Sequence, residues 1–422
     1  MHIKSLALVA AAVMTAGAAQ AADLNKPAKV AVDYVKVCDA YGAGFFYIPG
    51  SDTCLKISGF ARADYVTGFQ DKFNTFGGTG LNAAPNRATN DFVTAVRGDV
   101  TFDARTNTQY GLLRSFIEAH TNLGSSATNT SRTVVELDNA FVQLGGLTAG
   151  RTTSKFNFAD AEQANQEYGF ELFPDYAVNL LAYTFSFGNG ITATLSLEDA
   201  TTAGYQSTNS GAGNSAVRRN STTFTYGANN VPDIVAQLNV TQAWGEAQIA
   251  AKYHQVYGST GAMGTKAGVA VFGGVLFNIP QLGAGDTFGI EGGYALGDAG
   301  SIYSGISTTG NVLADAYYSP ATGTKLSTEW TVGAVLNHNF TSNLVYHGSV
   351  GYVGWNNTFA TGKANAGIVE ASAQLDWQPV KNFHVMPDVE FRSSNLNAVA
   401  RNDSATTSGN AYVFGMRLKR DF

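Results

Sequence analysis

The sequence predicts an all-β chain, a sixteen-stranded antiparallel transmembrane β-barrel, and three observations carry that prediction. Charged residues make up only 14% of the chain while aromatics reach 12% and glycines number 47; a soluble domain carries about 25% charge. After the N-terminal segment no stretch offers the 18 or more consecutive apolar residues that a membrane helix needs. The chain instead alternates. In the closing segment "GNAYVFGMRLKRDF", Tyr412, Phe414, Met416, Leu418 and Phe422 fall on one side, with Arg420 the exception, and Ala411, Val413, Gly415, Arg417, Lys419 and Asp421 on the other. A strand sends successive side chains to opposite faces, so this segment shows one aromatic face and one small or charged face. A barrel in lipid hides apolarity in this way, apolar outward and polar inward. A large secreted β-sandwich also alternates.

The first residues supply a compartment. "MHIKSLALVAAAVMTAGAAQAADL" carries Lys4, an apolar run from Leu6 to about Ala16, and a small-residue cleavage site at Ala19-Gln20-Ala21. These are the marks of a secretory signal peptide over residues 1–21. Its removal takes away Lys4 and no acid, so the net charge of −6 becomes −7. That mild acidity argues against a nucleic-acid partner, which calls for a basic patch. Residues 22–54 form a short segment expected on the periplasmic side. It contains both cysteines of the chain, Cys38 and Cys54, around the turn-rich "DAYGAGFFYIPGSDT". In an oxidising compartment a disulfide is the default. Closing a loop of that size contributes about 3 kcal/mol by the chain-entropy estimate. Two cysteines with no nearby histidine do not make a metal site, and nothing in the sequence calls for a cofactor.

From Leu55 to Phe422 the chain reads as strands. "LKISGFARADYVTG" puts Lys56, Ser58, Arg62 and Asp64 on one face, against Leu55, Ile57, Ala61 and Tyr65. "VRGDVTFDAR" puts Arg97, Asp99, Thr101, Asp103 and Arg105 against Val96, Val100 and Phe102. "LLRSFIEAH" puts Arg114, Glu118 and His120 against Leu113, Ile117 and Ala119. Carboxylates and guanidinia on one face of successive strands are costly in a packed core and comfortable along a watery lumen. Short turns near 106–109, 145–146, 188–189, 243–246, 278–285, 341–343 and 378–382 alternate with long polar stretches at 69–89, 200–230, 298–326, 356–366 and 396–408. Short turns at one rim and long loops at the other are the outer-membrane arrangement, and such barrels use even strand numbers. Seventeen alternating segments can be drawn. Counting back from Phe422 with every short turn on one rim leaves 221–228 inside a long loop, as a hairpin, and gives sixteen. An aromatic end on the last strand reads as the signal for the barrel-assembly machinery, with the strand closing against the first to remove an exposed edge.

The segment "DYVKVCDAYGAGFFYIPGSDTCLKISGFARADY" (33–65) closely resembles the alphaproteobacterial general porin family, and "LDNAFVQLGGLTAGRTTSKF" (137–156), "QAWGEAQ" (242–248) and "MRLKRDF" (416–422) are similar to it as well. The resemblance covers essentially the whole chain after the signal. It implies a homotrimeric outer-membrane channel of sixteen strands whose third external loop folds inward and narrows the lumen. The matching loop here is 153–178, "TSKFNFADAEQANQEYGFELFPDYAV", with Asp160, Glu162, Glu167, Glu171 and Asp175 against a single lysine, Lys155. Composition alone fits an ordinary exposed loop equally. Arg62, Arg97, Arg105, Arg114 and Arg151 are candidates for a basic wall across the lumen, or for ion pairs with acids on neighbouring strands. For Arg151 the phase is ambiguous, because "LGGLTAGR" does not alternate cleanly.

The function expected is passive diffusion of small hydrophilic solutes and ions, with weak cation preference, across the bacterial outer membrane. The partners expected are those solutes, the membrane lipid, the assembly machinery and further copies of the chain. A channel specific for a sugar or other small solute is the alternative, since Phe156, Phe158, Tyr168, Phe170 and Phe173 could form an aromatic track. An enzyme is not expected. The histidines show no HExxH spacing and no GxSxG appears.

Overall fold

The computed structural model describes residues 36–70, 92–125, 131–158, 173–203, 217–303, 312–402 and 408–422. The segment 1–21 and the first part of 22–54 lie outside the described residues. The strands in chain order are β1 (Phe46–Tyr47), β2 (Cys54–Gln70), β3 (Phe92–Thr108), β4 (Gly111–Ser125), β5 (Ser131–Leu144), β6 (Leu147–Thr153), β7 (Ala177–Gly188), β8 (Ile191–Glu198), β9 (Asp233–Gln242), β10 (Gly245–Tyr257), β11 (Thr265–Asn278), β12 (Thr287–Leu296), β13 (Ala316–Ser319), β14 (Gly323–Leu326), β15 (Thr328–Thr341), β16 (Leu344–Phe359), β17 (Gly362–Val380), β18 (Phe383–Leu396) and β19 (Gly409–Asp421). β13 and β14 pair only with each other, and β1 extends the edge of β2 by two residues. The other sixteen run antiparallel to their neighbours in one sheet. That sheet closes where β19 meets β2, from Ala411 opposite Gln70 to Asp421 opposite Phe60. Closure gives every barrel strand a hydrogen-bonded neighbour on each side, the arrangement a span in lipid requires.

Alternation assigns the two faces as expected. Val96, Val100, Phe102, Leu113, Ile117, Val142, Leu195, Val271 and Val350 stand exposed on the outside, while Asp64, Asp99, Asp103, His120 and Arg417 are buried within the barrel. Outward aromatics gather near both rims. Tyr65–Phe92, Trp330–Tyr352 and Phe391–Tyr412 pair toward the long-loop rim, and Tyr183–Phe185 and Trp244–Phe277 toward the short-turn rim. Such girdles sit where amphipathic rings meet the headgroups.

Two loop expectations need correction. The polar stretch 356–366 is not a long loop: β16 and β17 continue through it to a two-residue turn, with Phe359 opposite Gly362. Gly362 takes the left-handed φ of 132° that this tight reversal needs. These strand ends carry Asn356, Asn357, Thr358 and Lys363, residues with a polar character that suits water as well as a loop does. Segment 221–228 is not a hairpin either, making one bridge between Tyr226 and Gly258. The hairpin of that rim is β13–β14, within the loop 297–327.

At the short-turn rim Cys38 and Cys54 form the disulfide, with a Cα separation of 6.0 Å. Cys54 shares the inward face of β2 with Lys56 and Ser58, so the bond draws the arm 36–53 to the inside of the mouth. There Cys38, Phe45 and Cys54 are buried together, with Tyr41 and Tyr47 against them. The Arg105 guanidinium lies 5.0 Å from the Phe45 ring centre and 5.9 Å from that of Tyr41, a favourable stack of cation on aromatic face. Replacing Cys38 and Cys54 together by serine is expected to leave the barrel folded, because its ladders lie elsewhere. Limited proteolysis should cut within 36–53 about tenfold faster or more, following the lost loop closure. Equal cleavage of the variant and the native protein would show that the arm is held without the bond.

Candidate functional site: the barrel interior

The inward face of β2–β5 and β19 carries a continuous charged network. Asp64 on β2 accepts from Arg417 on β19, with Nε–Oδ1 at 2.7 Å and Nη2–Oδ2 at 3.2 Å, and lies 3.3 Å from Arg62 Nε. Asp103 on β3 takes both Arg105, with Nη2 at 2.6 Å, and Arg114 of β4, with Nε at 2.9 Å. Arg97 Nε donates to Asn122 Oδ1 at 2.6 Å. His120 Nε2 lies 2.8 Å from Glu136, and Glu118 accepts from Asn139 at 2.8 Å. Charge-assisted, partly bidentate bonds of this kind fix side-chain direction as well as adding energy.

Register sets two like-charge rows within this network. Lys419, Arg62 and Arg97 are successive partners across β19, β2 and β3. Arg105 faces Arg114 across β3 and β4. Like charges directly opposite one another destabilise a sheet; here Asp64 and Asp103 sit beside the rows and offset them. Arg62, Arg97, Arg105 and Arg114 therefore stand on one inward wall, and that wall is of mixed sign. Arg417 and Lys419 belong to the same wall, and the alternation of the last strand already pointed to them.

Arg151 does not join them. It is opposite Ala140 and Asn179, in phase with Leu147, Leu181 and Tyr183 on the outward face. Its Nε donates to Leu137 O at 3.1 Å and its Nη1 to Thr202 O at 2.7 Å. The physical reason is register: the pairing of β6 keeps strict alternation through Gly150, although that residue has φ 131°.

The loop between β6 and β7 enters the interior at both of its described ends. Ser154 N donates to Tyr176 O at 3.1 Å, which closes the loop base. Ser154 Oγ donates to Glu198 Oε2 at 2.6 Å and Lys155 N to Glu198 Oε1 at 2.9 Å. Gln248 on β10 donates to Asn157 O at 2.8 Å. Phe156 and Phe173 reach Phe272 on β11, with ring centres 6.1 and 6.3 Å away. Gly274 makes room for this approach: a Cβ there would stand 2.7 Å from the Phe158 ring. Asp175 is exposed. Asp160, Glu162, Glu167 and Glu171, with Tyr168 and Phe170, lie outside the described residues. Among the described residues no group of three or more metal-ligating side chains comes together.

A family model described as "Porin subfamily" matches residues 23–414 of the chain. The chain belongs to the porin subfamily. Similar curated proteins include Porin Omp2b of Brucella abortus (strain 2308), 33% identical over 263 residues that cover 58% of this porin and 64% of that protein. Porin Omp2b of Brucella suis is 36% identical over 215 residues, 47% of this porin and 52% of the relative. The matched region thus spans half to two-thirds of the length of these relatives. Among solved structures, the outer membrane channel DcaP of Acinetobacter baumannii has a TM-score of 0.62 at 15% identity, covering 89% of this chain and 99% of that one. OmpF of Salmonella typhi has 0.51 at 13%, covering 88% and 98%. At such identities the likeness is one of fold. This porin is a bacterial outer-membrane protein.

The pair Asp64–Arg417 stitches the seam where the barrel closes, and both side chains are largely shielded, at 7% and 4% exposure. Arg417→Met is expected to lower the stability of the folded barrel by about 2 kcal/mol, since it leaves the buried Asp64 carboxylate with Arg62, 3.3 Å away, in place of a bidentate partner. Adding Asp64→Leu should recover most of the loss. Urea titration of the barrel in lipid or detergent measures both, and a single variant as stable as the native protein would exclude this role for the pair.

Proposed function

We propose that this porin is a water-filled channel for passive diffusion of small hydrophilic solutes and ions, weakly cation-preferring, working as a homotrimer. Residues 1–21 serve as the export signal, with the short turns and the disulfide arm facing the periplasm. The carrying observation is the charged network on the inward wall of a closed sixteen-stranded barrel, where Arg62, Arg105 and Arg114 pair with buried acids yet keep 17%, 25% and 22% of their side chains exposed. Barrels of sixteen strands are wide enough to leave an aqueous channel. The chemistry is transport down a gradient without covalent change. A solute keeps most of its hydration and exchanges part of it for contacts with fixed charges.

Selectivity follows from opposed signs. The sequence of the loop 153–178 holds five carboxylates and one lysine, against two like-charge cation rows on the inward wall. Opposed charges create a transverse field that orients water and dipolar solutes. The local acids Asp64 and Asp103 temper the wall, so the loop dominates and cations are favoured modestly. Charges acting through water are screened beyond about 8 Å at physiological salt, and the preference shrinks as salt rises. The specific-channel alternative is weakened because Phe156, Phe158 and Phe173 are buried in packing with Phe272 rather than free to line a track.

The trimer reading is supported by Ser115, Thr121, Arg151 and Asn179, polar residues interspersed among Leu113, Ile117, Leu147 and Leu181 on the outer face of β4, β6 and β7. Phe422 supports the assembly reading. Its ring covers Gly59 on the outward rim, where a Cβ would come within 2.9 Å of that ring, and its N donates to Gly59 O at 3.0 Å.

Neutralising Asp160, Glu162, Glu167 and Glu171 together to Asn or Gln should move the zero-current potential across a tenfold salt gradient toward anions. Neutralising Arg62, Arg97 and Arg114 should move it the other way. A carboxylate variant with native potential and conductance would remove the loop from the constriction. Phe422→Asp should reduce the amount of heat-modifiable barrel in the outer membrane several-fold; native levels would take the residue out of assembly.

A further inference from the structure

The inward wall at the short-turn mouth holds more cations than its acids balance. Lys56 on β2, Asp103 on β3, Phe116 on β4 and Phe141 on β5 are successive partners across the sheet. One step nearer the rim stand Cys54, Arg105, Arg114 and Gln143. Asp103 and Cys54 are buried, and the other six keep part of their surface open. Asp103 is the single acid of these two rows, against Lys56, Arg105 and Arg114. The arm's own acids, Asp39 and Asp52, are exposed and form no ion pair with any of the three cations.

Asp103 occupies only one edge of each guanidinium. Arg105 reaches it with Nε at 3.0 Å and Nη2 at 2.6 Å, and Arg114 with Nε at 2.9 Å and Nη2 at 3.0 Å. In both arginines Nη1 meets no acceptor among the described residues. Lys56 has no ion-pair partner among them either. Its stem runs along the arm, where a Cβ on Gly44 would stand 3.4 Å from Lys56 Cε. Rings fix the direction of the two forks. Arg114 Cζ lies 4.6 Å from the Phe116 ring centre and 5.3 Å from that of Phe141, and those rings stack 5.2 Å apart. Arg105 lies over Phe45 of the arm, which the Cys38–Cys54 bond holds in place. A planar guanidinium laid on an aromatic face and bound along one edge has little freedom left for the other edge.

We propose that Arg105, Arg114 and Lys56 form a binding subsite for a small oxyanion, a carboxylate or a phosphate, at the short-turn mouth, with Phe45 as a positioning residue for Arg105. Guanidinium edges match the paired oxygens of such a group, which a monatomic anion lacks. Arginines directly opposite each other in a sheet repel. Asp103 offsets part of that repulsion, and an oxyanion on the free edges offsets more. The proposal rests on the channel reading above. It concerns retention of oxyanions at one place and leaves the overall ion preference to the whole lumen.

The test is current through the full-length native protein in a planar bilayer. Acetate, or in a second series inorganic phosphate, replaces chloride at constant and low ionic strength, where exposed charges are least screened. A subsite in the path should make the current and its excess noise follow a saturating curve, with a midpoint on the order of millimolar. Arg105→Gln and Arg114→Gln, each of which leaves Asp103 one guanidinium, should each raise that midpoint about tenfold or more. Lys56→Met should raise it less. Phe45→Ala should raise it several-fold, and Phe45→Tyr, which keeps the ring, should restore the native value. Saturation by one of the two anions alone supports the subsite and names its oxyanion. A native current that changes only in proportion to the chloride replaced, for both anions, would overturn the proposal without recourse to any variant. So would a midpoint that Arg105→Gln and Arg114→Gln both leave at the native value. Absence of any current from the native protein in any of these salts would instead overturn the channel reading.

Discussion

Everything in this molecule depends on one constraint: in hydrocarbon, every backbone N–H and C=O must find a partner within the protein. Sixteen strands meet it by closing β19 on β2. Once the sheet is closed, alternation leaves each strand only two destinations for its side chains, lipid or lumen. The charged residues of β2, β3, β4 and β19 are thereby forced to one shared wall, where their neighbours across the sheet decide their fate. Asp103 between Arg105 and Arg114, and Asp64 between Arg62 and Arg417, are consequences of register. The wall is neither basic nor acidic but laced, and two rows of like charge remain at heights where register puts cation opposite cation.

The interior is not polar throughout. Toward the long-loop rim the inward face turns apolar, with Val66, Val93, Val353, Trp355, Ile368, Ala411 and Val413 all buried. They form one cluster with the inward loop residues Ile302, Tyr303 and Leu313 and with Ala400 of the short helix Ala398–Asn402. Apolar lumen positions would be a liability in open water. Under folded-in loops they become a second core, which stabilises those loops at about 25 cal/mol per Å² of apolar surface removed from water. The barrel therefore has two kinds of interior, a charged wall and a dry collar that anchors the inward-folded ends of the loops.

The sequence made the barrel legible because lipid imposes period two wherever a strand crosses it. Parity, short turns and the aromatic final strand gave the strand number, and the export context gave the Cys38–Cys54 bond. Legibility failed where that pressure lapses. At 356–366 the strands rise beyond the apolar belt, polar residues fit both faces, and composition mimics a loop. At Arg151 three glycines upstream (Gly145, Gly146 and Gly150) blurred the phase, and only hydrogen-bonded register decides that it faces outward. Asp315 meets residues 219, 226 and 299, far apart in the chain, and no local pattern announces such a meeting. The inward glycines Gly274 and Gly293 were visible as residues, but their meaning depends on what packs against them.

The account's central claim is that the charged inner wall borders an open aqueous path. The most direct measurement is the current carried by the purified native protein in a planar lipid bilayer. The account predicts ohmic steps in a symmetric salt solution, closing in three levels, with conductance rising nearly in proportion to bulk salt and the small cation preference fading as salt increases. A bilayer that stays silent with correctly folded, heat-modifiable protein, or a current that saturates at low salt as a tight single-ion site would, would contradict it.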